Sequence, residues 1–159
     1  MIIAIDPGPV QSAYVLIAGK HDLQPIEFAK ADNEAVLRRL EVLCAGGIEV
    51  VIERVASYGM AVGESVFETV HWSGRFCQAA IAEWCGVTRV PRLAVKMHIC
   101  HDSRAKDANI VQALKDRFGG KGTKSNPGWF YGFAKDCWQA YALAVAYAEA
   151  ADGEGTCAD

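Results

Sequence analysis

The sequence predicts an α/β domain built on a mixed five-stranded sheet flanked by helices. Two short apolar runs, residues 2–5 unbroken and residues 48–52 interrupted only by Glu49, are rich in β-branched residues, as expected of strands covered on both faces. Between and after them, longer stretches repeat their apolar residues at helical spacing. The resulting order is β-β-β-α-β-α-β-α-α, the pattern of an α/β layer. With 159 residues, 52% of them hydrophobic, the chain has enough apolar material for one core and is not composed like a disordered segment. One domain is expected over residues 1–151, with residues 152–159 as a frayed tail.

The first strand, residues 1–6, runs straight into Asp6-Pro7-Gly8. A turn through Pro7-Gly8-Pro9 leads to a second strand at 12–17, and a hairpin turn at 19–22 to a third at 23–30. Asp32 or Asn33 then caps a helix through about residue 44, whose Val36, Leu37, Leu40, Val42 and Leu43 form one apolar stripe before Gly46-Gly47 stops it. The fourth strand is 48–53. A long helix is expected from Gly63 to about Trp84, ended by Gly86, and a fifth strand at 89–95, where Pro91 marks a sheet edge. A basic connection carrying Lys96, His98, His101, Arg104 and Lys106 follows. Asp107 caps a helix at 108–118, residues 119–132 form a loop rich in glycine and lysine, and the last helix spans 134 to about 151. No internal repeat is visible.

A formal charge of −3 argues against binding nucleic acid as a simple polycation, while leaving room for a local basic patch. The six cysteines lack short paired spacing, and Met1 opens directly into a strand with no signal peptide. Reduced thiols and a cytoplasmic protein are therefore expected. His98-Ile99-Cys100-His101 has no second cluster to complete a zinc site. No apolar run is long enough to cross a membrane.

Chemistry is concentrated in acids at the ends of apolar elements. An ionised carboxylate at the end of a buried strand costs several kcal/mol unless compensated. For Asp6 two compensations are open: capping of the Pro-Gly turn, or a divalent cation. The pattern recurs where residues 48–52 lead into Glu53, and again at Asp136, which opens a very apolar helix. Asp136 also has an ordinary role, complementing the positive end of the helix dipole. Three acids converging on one point would repel one another by several kcal/mol, and a hard cation such as Mg2+ or Mn2+ removes that penalty.

Ile5-Asp6-Pro7-Gly8 with Val51-Ile52-Glu53 resembles the RuvC family of Holliday-junction resolvases, within the ribonuclease H-like superfamily, and particularly its shorter phage-type members. Residues 57–63, 67–70 and 74–76, Arg104-Ala105-Lys106-Asp107-Ala108-Asn109-Ile110 and Lys135-Asp136-Cys137-Trp138 extend the likeness over residues 1 to about 150. The resemblance implies a ribonuclease H-like fold and a homodimeric, structure-selective endodeoxyribonuclease. Its two Mg2+ ions, or Mn2+, would be held by Asp6, Glu53 and Asp136, and it would hydrolyse phosphodiesters of a four-way junction or other branched DNA. The sequence departs at Gln139, where these proteins carry a second aspartate one turn along the helix. Either the Gln139 carbonyl, Asp107 or an outer-shell water fills that place; an N-cap role also accounts for Asp107.

By the same resemblance Lys106 would sit near the scissile phosphate, against the plain reading of a solvated lysine before a helix. Lys96, Arg104, Lys121, Lys124 and Lys135 would contact phosphates, with the glycines around Lys121 and Lys124 letting that loop order on DNA. Tyr58, with Met60, would reach bases opened at the junction, or both pack under the next helix. The helix from Gly63, with Phe67, His71, Trp72 and Phe76, is more apolar than one buried face needs and would serve the dimer. Trp129, Phe130, Tyr131 and Phe133 read as a stacking platform or, in preference, as core that anchors the loop. Gln139 keeps a second class of function open, a branched-DNA-binding module with weakened catalysis. A kinase or actin-type ATPase would need a second lobe and phosphate loop, and the sequence has neither.

Overall fold

A computed structural model of the chain describes residues 1–56, 59 and 61–153, with side chains through residue 150. Five strands, β1 (Ile2–Asp6), β2 (Gln11–Ile17), β3 (Pro25–Asp32), β4 (Glu49–Arg54) and β5 (Val87–Pro91), form one sheet in the order β3-β2-β1-β4-β5. β1 pairs antiparallel with β2 and parallel with β4; β2 and β3 are antiparallel, β4 and β5 parallel. The expected mixed five-stranded sheet is therefore present, with the unbroken apolar strand β1 at its centre.

Side chains alternate across a strand, and here the alternation divides two cores. Ile3 and Ile5 of β1 face α1 (Asn33–Cys44) and α2 (Glu64–Ala82), packing with Leu40, Ile52 and Phe76. Ile2 and Ala4 face α5 (Lys135–Gly153), with Val15, Val51, Tyr141 and Leu143. From Cys137 to Val145 every residue of α5 is buried, which explains a helix apolar all round. It packs on β1, β2, β3 and β4, and is covered by α3 (Arg92–Cys100) and α4 (Asp107–Phe118).

Helix α3 corrects the sequence reading. Residues 92–95 are not strand but helix, and the helix takes in the start of the basic connection, Lys96 and His98, before ending at Cys100. Pro91 has no N–H for the ladder, and its φ of −70° suits a helix entry; Val95 and Ile99, one turn apart, are the buried stripe. Pro91 does mark an edge, since β5 is the last strand. β3 begins two residues later than expected, α2 ends at Ala82 before a left-handed Trp84 (φ 59°), and α4 begins at Asp107 itself. The capping residue is Lys106, whose backbone N–H donates to Asn109 Oδ1 at 2.9 Å. Phe130 and Phe133 are core as expected, whereas Trp129 and Tyr131 are 38% and 44% exposed. The expected frayed tail, residues 154–159, lies outside the described residues.

Candidate functional site

Ile5 pairs with Ile52 across the parallel strands β1 and β4, so Asp6 and Glu53 end neighbouring strands at the same edge. Both fall on the α5 face by alternation, as do Ala4 and Val51. Asp136 lies in the first turn of α5, which leans over that edge, and Gln139 follows three residues on. The charges of Glu53, Asp136 and Asp107 all act on Asp6. Carboxyl ends of adjacent parallel strands are a usual place for a ligand in such sheets.

The turn after Asp6 is closed by other groups. Gly8 N–H donates to Ser12 Oγ at 3.1 Å, Ser12 Oγ–H to Asn33 Oδ1 at 2.5 Å, and Asn33 Nδ2 to the Gly8 carbonyl at 2.9 Å. A Cβ on Gly8 would lie 2.2 Å from the Gln11 carbonyl oxygen, so the bend requires glycine. These bonds leave the Asp6 carboxyl out of the cap. Burial first, then the charge of Glu53, pushes its pKa up to about 8. Burial also raises Glu53, against the pull of Arg92.

Two cations that the sequence reading missed hold the outer members of the cluster. Arg92, the first residue of α3, donates to Glu53 Oε2 at 3.1 Å, Asp107 Oδ1 at 2.6 Å and Gln139 Oε1 at 2.5 Å. Its side chain is 18% exposed and that of Glu53 17%. Lys30 Nζ, on β3, lies 2.5 Å from Asp136 Oδ2. The register runs Asp6–Ala13–Lys30 across three strands, which brings the lysine to the same row and face. A sequence signal existed for Lys30, a lysine at the same strand parity as the packed Phe28. Arg92 gave none while it was assigned to a strand.

Gln139 is 5% exposed; its oxygen accepts from Arg92, and Nε2 is buried with no hydrogen-bond partner among the described residues. Asp107, 52% exposed, serves the Arg92 network and the α4 dipole rather than the N-cap. Lys106 is exposed at the α4 cap. Lys96, one turn after Arg92, is partly buried and its charge lowers the Glu53 pKa; with Arg92, Leu93 and Ser103 it lines a depression of about 230 Å³. Arg104, Lys124 and Lys135 are exposed. Lys121 donates to the Phe133 carbonyl at 2.7 Å, tying its loop down; Gly122 (φ 71°) would place a Cβ 2.3 Å from Gly128 N. Tyr58 and Met60 lie outside the described residues.

Comparison with solved structures fixes the architecture. Thermus thermophilus RuvC matches with a TM-score of 0.66 at 16% identity, covering 96% of each chain. The chain has the RuvC fold. A second structure, T. thermophilus RuvC in complex with Holliday junction substrate, matches with a TM-score of 0.67 at 15% identity, over 96% of this chain and 95% of that one. No family model matches the sequence, nor does any curated protein.

The oxygen donors gathered at this edge are of the chemical type that holds a hard divalent cation. Asp6 is an under-compensated carboxyl among hard oxygen donors, the chemistry a Mg2+-type ion takes. Yet among the described residues no three His, Cys, Asp or Glu side chains close to coordination distance as they stand. Arg92 holds Glu53 and Asp107, and Lys30 holds Asp136. The Lys30 pair is over a third exposed and weakened by water, whereas removing one partner of a buried pair like Arg92–Glu53 costs about 3–5 kcal/mol. Asp136 is the acid more easily released.

Proposed function

We propose that the protein is a divalent-metal-dependent endodeoxyribonuclease that cuts branched DNA, with a four-way junction as its preferred substrate. The observation that carries this reading is the meeting of Asp6, Glu53 and Asp136 at one sheet edge, from three elements distant in sequence. The shared fold supports it, since one matching structure is that of a resolvase with its junction.

Asp6, Asp136 and the Glu53 oxygen not bonded to Arg92 are the residues that would hold Mg2+ or Mn2+. The ion, when bound, supplies Lewis-acid polarisation of the phosphoryl group and a nucleophile at neutral pH. The chain's own residues set the substrate's position. Lys96, whose charge reaches Glu53, would meet a phosphate beside the acids, and the exposed Lys106, Lys135, Arg104 and Lys124 would supply further phosphate contacts while the chain as a whole stays negative. Lys106 stands at the α4 entry, where an exposed ammonium can approach a phosphate without disturbing the helix cap. A homodimer through the outer face of α2 would set two such sites on opposing strands. Phe67, Val70 and Ile81 on that helix are 63%, 47% and 56% exposed.

The deciding experiment is nicking of a synthetic four-way junction in Mg2+ or Mn2+, compared with linear duplex. Cleavage of the junction that disappears in Asp6→Asn is the expected result. Tight junction binding with no cleavage in either ion would instead favour a binding module, a reading to which Gln139 and its bond to Arg92 lend weight.

A further inference from the structure

We propose that this site takes a single divalent cation, on the Asp6–Asp136 side, because the Arg92 guanidinium fills the place of a second. The inference rests on the nuclease reading of the same site and deepens it.

Arg92 is bound as an ion would be. Its acceptors come from three separate elements, Glu53 on β4, Asp107 on α4 and Gln139 on α5, and all three lie within 3.1 Å. A surface arginine that had merely settled on a neighbouring acid would not be 18% exposed with acceptors converging from three directions.

Gln139 supports the same conclusion through its nitrogen. Its only ligating atom, Oε1, is taken by Arg92, and its buried Nε2 presents donor hydrogens with no acceptor among the described residues. An amide turned this way repels a cation. An aspartate there would add a negative charge; the neutral side chain is what a site already supplied with a fixed positive charge requires.

The four carboxylates of the cluster, Asp6, Glu53, Asp107 and Asp136, are answered unequally, Glu53 and Asp107 by Arg92 and Asp136 by Lys30. Lys30, half-exposed and bonded to Asp136 alone, is the partner an entering ion displaces; Arg92 stays on Glu53 Oε2 and leaves the second oxygen available.

Counting Mn2+ bound to the full-length protein without DNA, by electron paramagnetic resonance, tests this directly. Wild type should bind one Mn2+ per chain, Gln139→Asp still one, Arg92→Lys one, and the double variant Arg92→Ala with Gln139→Asp two. Two ions on wild type, or two on Gln139→Asp with Arg92 in place, would overturn the proposal. So would a single ion on a double variant whose circular dichroism matches wild type. Should the double variant not fold, Gln139→Asp decides alone. Junction nicking in the same buffer separates the two claims: nicking with two ions bound keeps the nuclease and discards the role of Arg92. Wild type that binds no Mn2+ and cuts nothing discards both.

Discussion

Lys30 Nζ lies 2.5 Å from Asp136 Oδ2, so the acid that opens α5 is held by a lysine from a strand two places away from β1 in the sheet. A cation competing for Asp136 must displace that ammonium. Lys30→Met is therefore expected to tighten Mn2+ binding several-fold with little change in melting temperature, because the pair is exposed and worth little to the fold. Calorimetric titration with Mn2+ would check this; unchanged or weaker affinity would show that Asp136 does not meet the ion.

Asp6 gives the metal-free protein a pH-dependent stability. Its pKa is raised from 3.8 to about 8 by burial and by Glu53, so the folded state holds this proton more tightly than the unfolded chain. Stability must then fall as pH rises from about 4 to about 8, and Glu53, also raised, adds to the slope. In EDTA, Asp6→Asn should flatten much of the slope and stabilise the protein at pH 8 by on the order of 2 kcal/mol, read from thermal melts. The same change should abolish junction nicking, so stability and activity move in opposite directions. Mn2+ affinity should rise over the same interval, since a ligating carboxyl must lose its proton.

Arg92 is expected to be structural as well as electrostatic. Arg92→Ala strips Glu53 and Gln139 of their partner inside a mostly buried cluster. A loss of about 3 kcal/mol in urea unfolding is predicted for metal-free protein, partly recovered by adding Mn2+. Recovery by Mn2+ is the part a simple packing defect would not produce.

The outer face of α2 can be tested without touching the acids. Phe67→Glu with Val70→Glu replaces exposed side chains, so each chain should keep its fold, with a circular dichroism spectrum matching wild type. Sedimentation should shift from dimer to monomer. A monomeric wild type would dispose of the dimer proposal.

By contrast, Phe130 is fully buried and meets the rings of Phe133 and Tyr141 edge-on and that of Trp138 at a tilt. Phe130→Ala should cost about 3–5 kcal/mol and loosen the loop at residues 119–133 from α5. Proteolysis within that loop would report it before global unfolding.

Much of this molecule was legible from residue order alone. The apolar runs that end in Asp6 and Glu53 identify strands buried on both faces, and their acids stand out because a carboxylate is costly there. The α1 stripe of Val36, Leu37, Leu40 and Leu43, from which Val42 departs at 65% exposed, and the all-round apolarity of α5 are likewise local patterns, and they place one helix at the surface and the other in the core. The third acid, Asp136, is visible because it interrupts that apolarity.

What the order of residues could not supply is who answers each charge. Arg92 reads as part of a strand until Pro91 is seen to end the ladder, and only the folded chain brings it to Glu53, Asp107 and Gln139, between 15 and 47 residues away. Lys30 meets Asp136 because two antiparallel registers carry it across the sheet. Hydrophobic periodicity is a property of neighbours along the chain, so sequence determined the elements and the acids they present. Ion pairs form between groups that are distant in sequence, so the balance of charge within the site was decided by tertiary structure.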